Sequence, residues 1–369
     1  MRFPRLFRGA KPLETDPRGT YPEPRLKDLI LFVTDRCNMR CDHCIFWERI
    51  DHPGPEMTLD QLRRIARSLP PLRTLAVTGG EPFLRNDLPQ IVETFFRDNQ
   101  THHIQVNTNG LLSDRMIHLV ELDLASQCRH YLTYQVSLDG LEATHDRIRR
   151  LPGSFRKITE NLRVLSNLTQ QHPYFRVVAL TNVNRGNYHE IEPLAQFLWN
   201  EIGVEHAYDL VRGSGFSAWD IPEEIRVHED PRDCELPPLE ELPAILETIG
   251  SINRREGNRF EQCVRQVEAQ VGLYHGKPAP FRCLSAGRTA GVIYSDGSVT
   301  ACEFTTPFAH LEHYDYDLQR LWQSPEAAQR RSQITGCSCA HSCFVLTSLQ
   351  EWEEQKAKIQ LLPTPALTP

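Results

Sequence analysis

The stretch FVTDRCNMRCDHCIFWERI, residues 32–50, places Cys37, Cys41 and Cys44 within eight residues of one another, directly after a short apolar run. Thiols crowded in this way close disulfides, hold zinc, or hold an iron–sulfur cluster. The chain has eleven cysteines, an odd number, and they gather in two places. One group is the trio above, and the other is Cys283, Cys302, Cys337, Cys339 and Cys343, while Cys128, Cys234 and Cys263 stand apart. The isolated three read as ordinary buried thiols. Zinc commonly takes four ligands in paired spacing. The trio has no fourth thiol nearby, although His43 between two of the cysteines and His52 beyond the third keep a mixed zinc site open. A cube held by three thiolates instead leaves one iron without a protein ligand, free to bind substrate or cofactor. For the second group, the plainest reading is a structural zinc site tying down a hairpin.

The elements that must carry these residues show a regular rhythm. Apolar, β-rich runs occur at residues 29–33, 73–78, 103–108, 131–137, 175–181 and 204–211. Segments with helical periodicity lie between them, among them TLDQLRRIARSL, DLPQIVETFFRDN, SDRMIHLVEL, SFRKITENLRVLSNL and NYHEIEPLAQFLWNEI. Six strands alternating with helices predict a parallel α/β fold, either a partial (β/α)6 barrel or an open doubly wound sheet. The polar stretches after the strands favour the barrel, because chemistry in βα barrels gathers at the C-terminal ends of strands. These are the cysteine loop, GGEP (79–82), NTNG (107–110), SLDG (137–140), TNVN (181–184) and VRG (211–213). Asn182, Asn184, Tyr208, Asp209 and Arg212 fall at strand ends facing the same cleft and are candidate substrate contacts. No residue stands out as a proton acceptor.

After the sixth strand the pattern changes. A proline- and acid-rich passage precedes two expected helices near 239–250 and 258–273. AGVIYSDGSVTACEF then reads as a hairpin turning at Asp296-Gly297. A short helix pair leads into GCSCAHSCF, and LLPTPALTP reads as a loose tail. The expected organisation is an N-terminal extension (1–27), a barrel (28–215), a linker with helices (216–280), a small α+β domain (281–345) and a C-terminal tail (346–369).

Composition excludes several classes. Of 369 residues 40% are hydrophobic and 24% charged, as in ordinary globular chains, and a net charge of −7 offers no general attraction to nucleic acid or anionic membrane. The basic runs Arg63, Arg64, Arg67 and Arg147, Arg149, Arg150 read as solvated helix faces. No apolar stretch is long enough to span a bilayer, and the N-terminus lacks the apolar core of a secretory signal. A cytoplasmic protein is expected, and reduced thiols there favour metal over disulfides.

Cys-x3-Cys-x2-Cys after the first strand, with GGEP after the second, resembles the signature of radical S-adenosylmethionine (radical SAM) enzymes. SLDGLEATHDRIRRLPGSF resembles the matching stretch of members with extra clusters. Cys283-x13-Gly297-x4-Cys302 resembles the opening of the auxiliary-cluster domains called SPASM and twitch, whereas Cys337-x-Cys339-x3-Cys343 departs from their usual closing spacing.

The resemblance implies a partial barrel of radical SAM type followed by a small auxiliary-cluster domain. Cys37, Cys41 and Cys44 would hold a [4Fe-4S] cluster whose open iron chelates the methionine end of S-adenosylmethionine. Glu81 would accept from its ammonium, with Gly79, Gly80 and Pro82 beside it. His43 would lie near adenine, Ser137 would touch the ribose or carboxylate, and Asn109 would line the cleft. Four of the five later cysteines would hold one auxiliary cluster, of [4Fe-4S] type. The implied chemistry is reductive cleavage to a 5′-deoxyadenosyl radical that takes a hydrogen atom from substrate in an oxidation or rearrangement. A reducing partner such as flavodoxin or ferredoxin would supply the electron. Relatives act on peptides or on small molecules. The 28 residues before the first apolar run are too few for a leader-binding domain, so a small molecule is expected. A non-catalytic protein with two structural metals is the alternative from another class.

Overall fold

The computed structural model describes residues 21–126, 130–212, 218–219, 221–227, 231–257, 261–276 and 283–360. Cys128, the start of the N-terminal extension and LLPTPALTP lie outside them. In chain order the elements are β1 (Asp28–Thr34), α1 (Trp47–Asp51), α2 (Leu59–Ser68), β2 (Thr74–Gly79), α3 (Leu88–Thr94), β3 (His103–Thr108), α4 (Ser113–Ser126) and β4 (Tyr131–Ser137). Then come α5 (Glu142–Arg149), α6 (Ser154–Thr169), β5 (Phe175–Val183), α7 (Ile191–Phe197), β6 (Glu205–Leu210) and β7 (Ala218–Trp219). The remainder are α8 (Leu242–Arg255), α9 (Glu261–Tyr274), β8 (Ala290–Ile293), β9 (Ser298–Thr300), β10 (Ala309–His310), α10 (Leu318–Trp322), α11 (Pro325–Gln333), β11 (Ser338–Cys339) and α12 (Ser342–Gln360).

Strands β1 to β6 lie side by side in chain order and all parallel, as the alternation requires. Their period-2 pattern sorts side chains between two environments. Leu75, Val77, Ile104, Val106, Leu132, Tyr134 and Val136 are buried in one core with Leu62, Ile65 and Ile91 of the helices. The alternate positions of β2 to β6 are mostly half-buried and face the barrel axis. Helix α2 starts where its sequence says it should. Thr58 Oγ1 accepts from Gln61 N (3.3 Å) and Gln61 Oε1 accepts from Thr58 N (2.8 Å), a reciprocal cap.

The hairpin forms where Asp296-Gly297 predicts it, with Gly297 at φ 93°. Its placement differs from the expected separate domain. Strand β8 runs parallel to β1, pairing Ala290–Ile293 with Asp28–Leu31. With β9 and β10 it extends the barrel sheet to nine strands among the described residues. Strand β1 is buried along its whole length, so its outer edge needs a partner for its backbone groups, and β8 supplies one. Gly291 lets that strand pass beneath Trp322, since a Cβ there would lie 2.5 Å from the indole.

The supposed tail is a second departure, because residues 346–360 belong to helix α12. Phe344, Val345, Ser348 and Glu351, at helical spacing, are buried. Glu351 pairs with Lys27 (2.8 Å) and Arg73 (3.2 Å), fastening α12 to the N-terminal end of the barrel. Glu351→Ala is expected to lower stability by about 1–3 kcal/mol, because Asp28 and Glu354 only partly compensate the two cations left behind and solvent screens the rest. An unchanged urea midpoint would show that water already satisfies them. Among the described residues no helix is long and apolar enough to cross a membrane.

Candidate active site

The C-terminal end of β1 turns into the cysteine loop, and the end of β2 is pressed against that turn. Gly80 N donates to Thr34 O (2.8 Å) and Glu81 N to Arg36 O (2.8 Å). A Cβ on Gly79 would lie 2.2 Å from Thr34 O, and one on Gly80 2.2 Å from Arg36 O. The two glycines of GGEP therefore admit the protein's own backbone, which leads straight into Cys37. Gly80→Ala must push the two strand ends apart, at a cost of about 1–3 kcal/mol. It should also lower the iron bound at the cysteine loop, and an iron assay together with a thermal melt checks both effects.

Glu81 lies at the centre of this junction, 1% exposed. Its Oε1 accepts from Thr108 Oγ1 (2.8 Å) and Phe83 N (3.1 Å), and its Oε2 from Asn109 N (2.7 Å). Pro82, buried, opens the short turn that Glu81 caps. Asn109 reaches back to the cysteine loop, its Nδ2 donating to Asn38 Oδ1 (2.7 Å). Burial pushes the Glu81 carboxyl up to about 7 against the pull of these hydrogen bonds. A carboxylate accepts at about four positions, so three donors leave room for a fourth such as an ammonium.

The three thiols of the loop are close enough to perturb one another. Burial pushes Cys37 up to about 11 and Cys44 up to about 12, each with a contribution from Cys41. Burial raises Cys41 as well, with Arg149 pulling it back. Buried thiols of this kind become thiolates when metal charge compensates them. The residues that would complete a zinc set point elsewhere. His52 is exposed, and the half-buried His43 turns its Nε2 toward Asp139 Oδ2 at 3.8 Å. Among the described residues no three His, Cys, Asp or Glu side chains converge tightly enough for a single ion. Three thiols on one loop without a fourth donor fit a cube with an open corner.

Behind His43 lies a residue misread from sequence. Arg149, expected on a solvated face, is 6% exposed and stands 2.6 Å from Asp139 Oδ2 and 3.5 Å from Cys41 Sγ. Only Arg147 and Arg150 of that run face solvent. His145, four residues earlier on the same helix face, is also buried. A helix placing both on its inner side was the available signal.

Toward the barrel axis the strands present polar groups. Gln105 Nε2 donates to Asn107 Oδ1 (2.8 Å) and Gln135 Oε1 (3.0 Å), and Ser137 continues the Gln135 face at the end of β4. Of the five candidate substrate contacts, Asn182 shares this half-buried inner face. Asn184 is buried bracing its own turn, with Nδ2 on Asn182 O (2.9 Å) and Oδ1 accepting from Gly186 N (2.8 Å). Tyr208 is buried on the outer face against α8 and α9. Asp209 accepts from Gln270 Nε2 (2.8 Å) and Ser342 Oγ (2.7 Å), and Arg212 pairs with Glu303 and lies 2.9 Å from His341 Nε2. The last two therefore fasten β6 to the C-terminal segment. Cys263 covers the edge of the same strand, its Sγ accepting from Tyr208 N and donating to Tyr208 O, both at 3.2 Å.

The five later cysteines come together. Cys283, Cys302 and Cys337 are buried in one cluster with Ile30 and Phe32 of β1, and Cys339 and Cys343 pack against it half-buried. Cys283 N donates to Cys337 O (2.9 Å). Phe32 touches both Phe46 of the cysteine loop (4.7 Å between ring centres) and Tyr294 of the hairpin (4.9 Å). An aromatic seam thus joins the two thiol-bearing regions.

The sequence profile of the Radical SAM superfamily matches residues 31–198. A GTP 3′,8-cyclase of Staphylococcus saprophyticus is 32% identical over 299 residues, 76% of this chain and 79% of that protein. The chain belongs to the radical SAM superfamily. Its radical SAM relatives include a probable GTP 3′,8-cyclase of Archaeoglobus fulgidus, 30% identical over 52% of this chain and 63% of that protein. Another is the Haemophilus ducreyi enzyme, 34% identical over 29% and 36%. The chain spans less than two thirds of the length of these last two. Solved structures also align. Streptococcus suis SuiB bound to S-adenosylmethionine has a TM-score of 0.59 at 14% identity, covering 84% of this chain and 68% of SuiB. Native anSMEcpe with bound AdoMet and Cp18Cys peptide has a TM-score of 0.57 at 14% identity, covering 91% and 98%. At such identity the likeness is one of fold. The superfamily's cofactors are a [4Fe-4S] cluster and S-adenosylmethionine, and the three-thiol loop fits the first.

Proposed function

We propose that this protein is a radical SAM enzyme acting on a small polar molecule, with a nucleotide as the first substrate class to test. The observation that carries the reading is the junction of three thiols, Gly80, Glu81 and Asn109 at the rim of a barrel whose inner face is polar. When bound, the cluster and S-adenosylmethionine supply a 5′-deoxyadenosyl radical for hydrogen abstraction. Cys37, Cys41 and Cys44 hold the cluster, and the remaining acceptor position of Glu81 takes the cofactor's ammonium. His43, Ser137 and Asn109 line the rest of the cofactor's place, and Gln105, Asn107, Gln135 and Asn182 offer hydrogen bonds to the substrate. The five later thiols hold one auxiliary iron–sulfur cluster, one thiol more than four irons require. Relatives at 30% identity or above are named as nucleotide cyclases, which supports a small molecule over a peptide. A cyclisation is redox-neutral, whereas an oxidation would pass an electron onward, and the auxiliary site suits that second outcome. A low-potential donor of the flavodoxin or ferredoxin class would reduce the enzyme.

Protein reconstituted without oxygen should carry about eight iron and as many sulfide per chain. With dithionite and S-adenosylmethionine it should release 5′-deoxyadenosine, faster when the right nucleotide is present. Deuterium from that nucleotide should appear in the 5′-deoxyadenosine. Colourless protein holding two zincs, or brown protein that never cleaves the cofactor, would overturn the reading.

A further inference from the structure

We infer that Arg149 sets the reduction potential of the cluster at Cys37, Cys41 and Cys44, and that Asp139 is the positioning residue that holds its charge beside Cys41. The inference rests on the radical SAM reading and adds a role for two residues outside the cysteine motif. The last turn of α5 is seated on the cysteine loop by three successive residues. Ile148 O accepts from Asp42 N (2.9 Å), Arg149 Nη1 points at Cys41 Sγ (3.5 Å), and Arg150 Nε donates to Asp42 Oδ1. Asp139, wholly buried at the end of β4, takes the Nε side of the guanidinium at 2.6 Å. Its own backbone N–H is fixed by His145 Nδ1 (3.0 Å). Arg149 Nη2 is buried with no hydrogen-bond partner among the described residues.

A guanidinium does not shed its proton when buried, so this is a fixed positive charge next to a metal-binding sulfur. Reduction adds one negative charge to the cluster. A neighbouring cation and an N–H···S hydrogen bond both stabilise the reduced form more than the oxidised one, raising the potential. Asp139 offsets part of that field but keeps the fork turned toward the sulfur. Lysine at 149 would keep the charge and lose the fork.

The test is a redox titration of the full-length reconstituted protein, following by electron paramagnetic resonance the signal that S-adenosylmethionine perturbs, which separates this cluster from the auxiliary one. Arg149→Gln is expected to lower the reduced-to-oxidised ratio at a fixed solution potential about tenfold, equivalent to about 59 mV for one electron. Arg149→Lys should stay within about threefold of the parent and Arg147→Gln, the surface control, should match it. An iron-loaded Arg149→Gln protein with the parent ratio overturns the inference, as does a Lys variant shifted as far as the Gln variant. If the Gln variant loads no iron, the Lys variant decides. Full loading with a near-parent ratio supports the charge, and no loading means that Arg149 serves packing alone. Failure of the family reading looks different, because the parent protein itself would then show no signal responsive to S-adenosylmethionine.

Discussion

Replacing Cys41 with alanine is expected to bring 5′-deoxyadenosine release to background and to remove about four iron per chain while the auxiliary iron stays. Cys41 is the most buried of the three thiols, 8% exposed, and sits midway along the loop between Cys37 and Cys44. Water cannot readily take its place, and two thiolates do not fill the protein side of a cube. The variant should still fold, since the β1–β2 junction is made by backbone hydrogen bonds at Thr34 and Arg36 that involve no thiol. Iron and sulfide assays beside a thermal melt separate loss of the cluster from loss of the fold. Full iron content with normal cofactor cleavage in this variant would remove the basis for the proposed activity.

Glu81→Gln is expected to weaken S-adenosylmethionine binding at pH 8 at least tenfold and to abolish its pH dependence. The folded carboxyl, raised to about 7, lies above its ordinary value of 4.5. Between those values the folded protein holds the proton that the unfolded chain has lost. Its stabilising contribution is therefore complete below 4.5 and is lost as pH rises through about 7. An ammonium ligand needs the anion. Binding below pH 7 must expel the proton, and affinity should fall by about tenfold per pH unit there and level off above. Glutamine has nothing to release, and its amide would place N–H groups against the donors of Thr108, Phe83 or Asn109, leaving one unpaired. Calorimetry at pH 6 and pH 8, in buffers of different ionisation enthalpy, reads the affinity and the proton together. Equal affinity at both pH values in the parent protein would mean that Glu81 braces β2 to β3 and does not meet the ligand.

Features set by neighbours along the chain were legible in sequence. The six strands follow from alternation, helix α2 from the periodicity of TLDQLRRIARSL, and the hairpin from Asp296-Gly297. The cysteine loop was legible because three thiols within eight residues need no tertiary contact to be recognised as one donor group. Other features depend on which distant surface an element meets. Arg147 and Arg149 lie two residues apart on α5, yet a helix turns about 100° per residue, so the first faces water and the second faces Cys41 and Asp139. Strand β8 joins β1 because that strand had an edge to cover, across more than 250 positions that no local pattern registers. Tyr208 and Asp209 part company by the strand period, the first into the apolar cluster with Ile249 and Val267 and the second onto the polar side chains of Gln270 and Ser342. Sequence alone determined the barrel and the three-thiol loop, since both arise from short-range spacing. Only the tertiary structure decided which charge stands beside that loop and which strand-end residues brace the fold, because those follow from burial against partners far away in the chain.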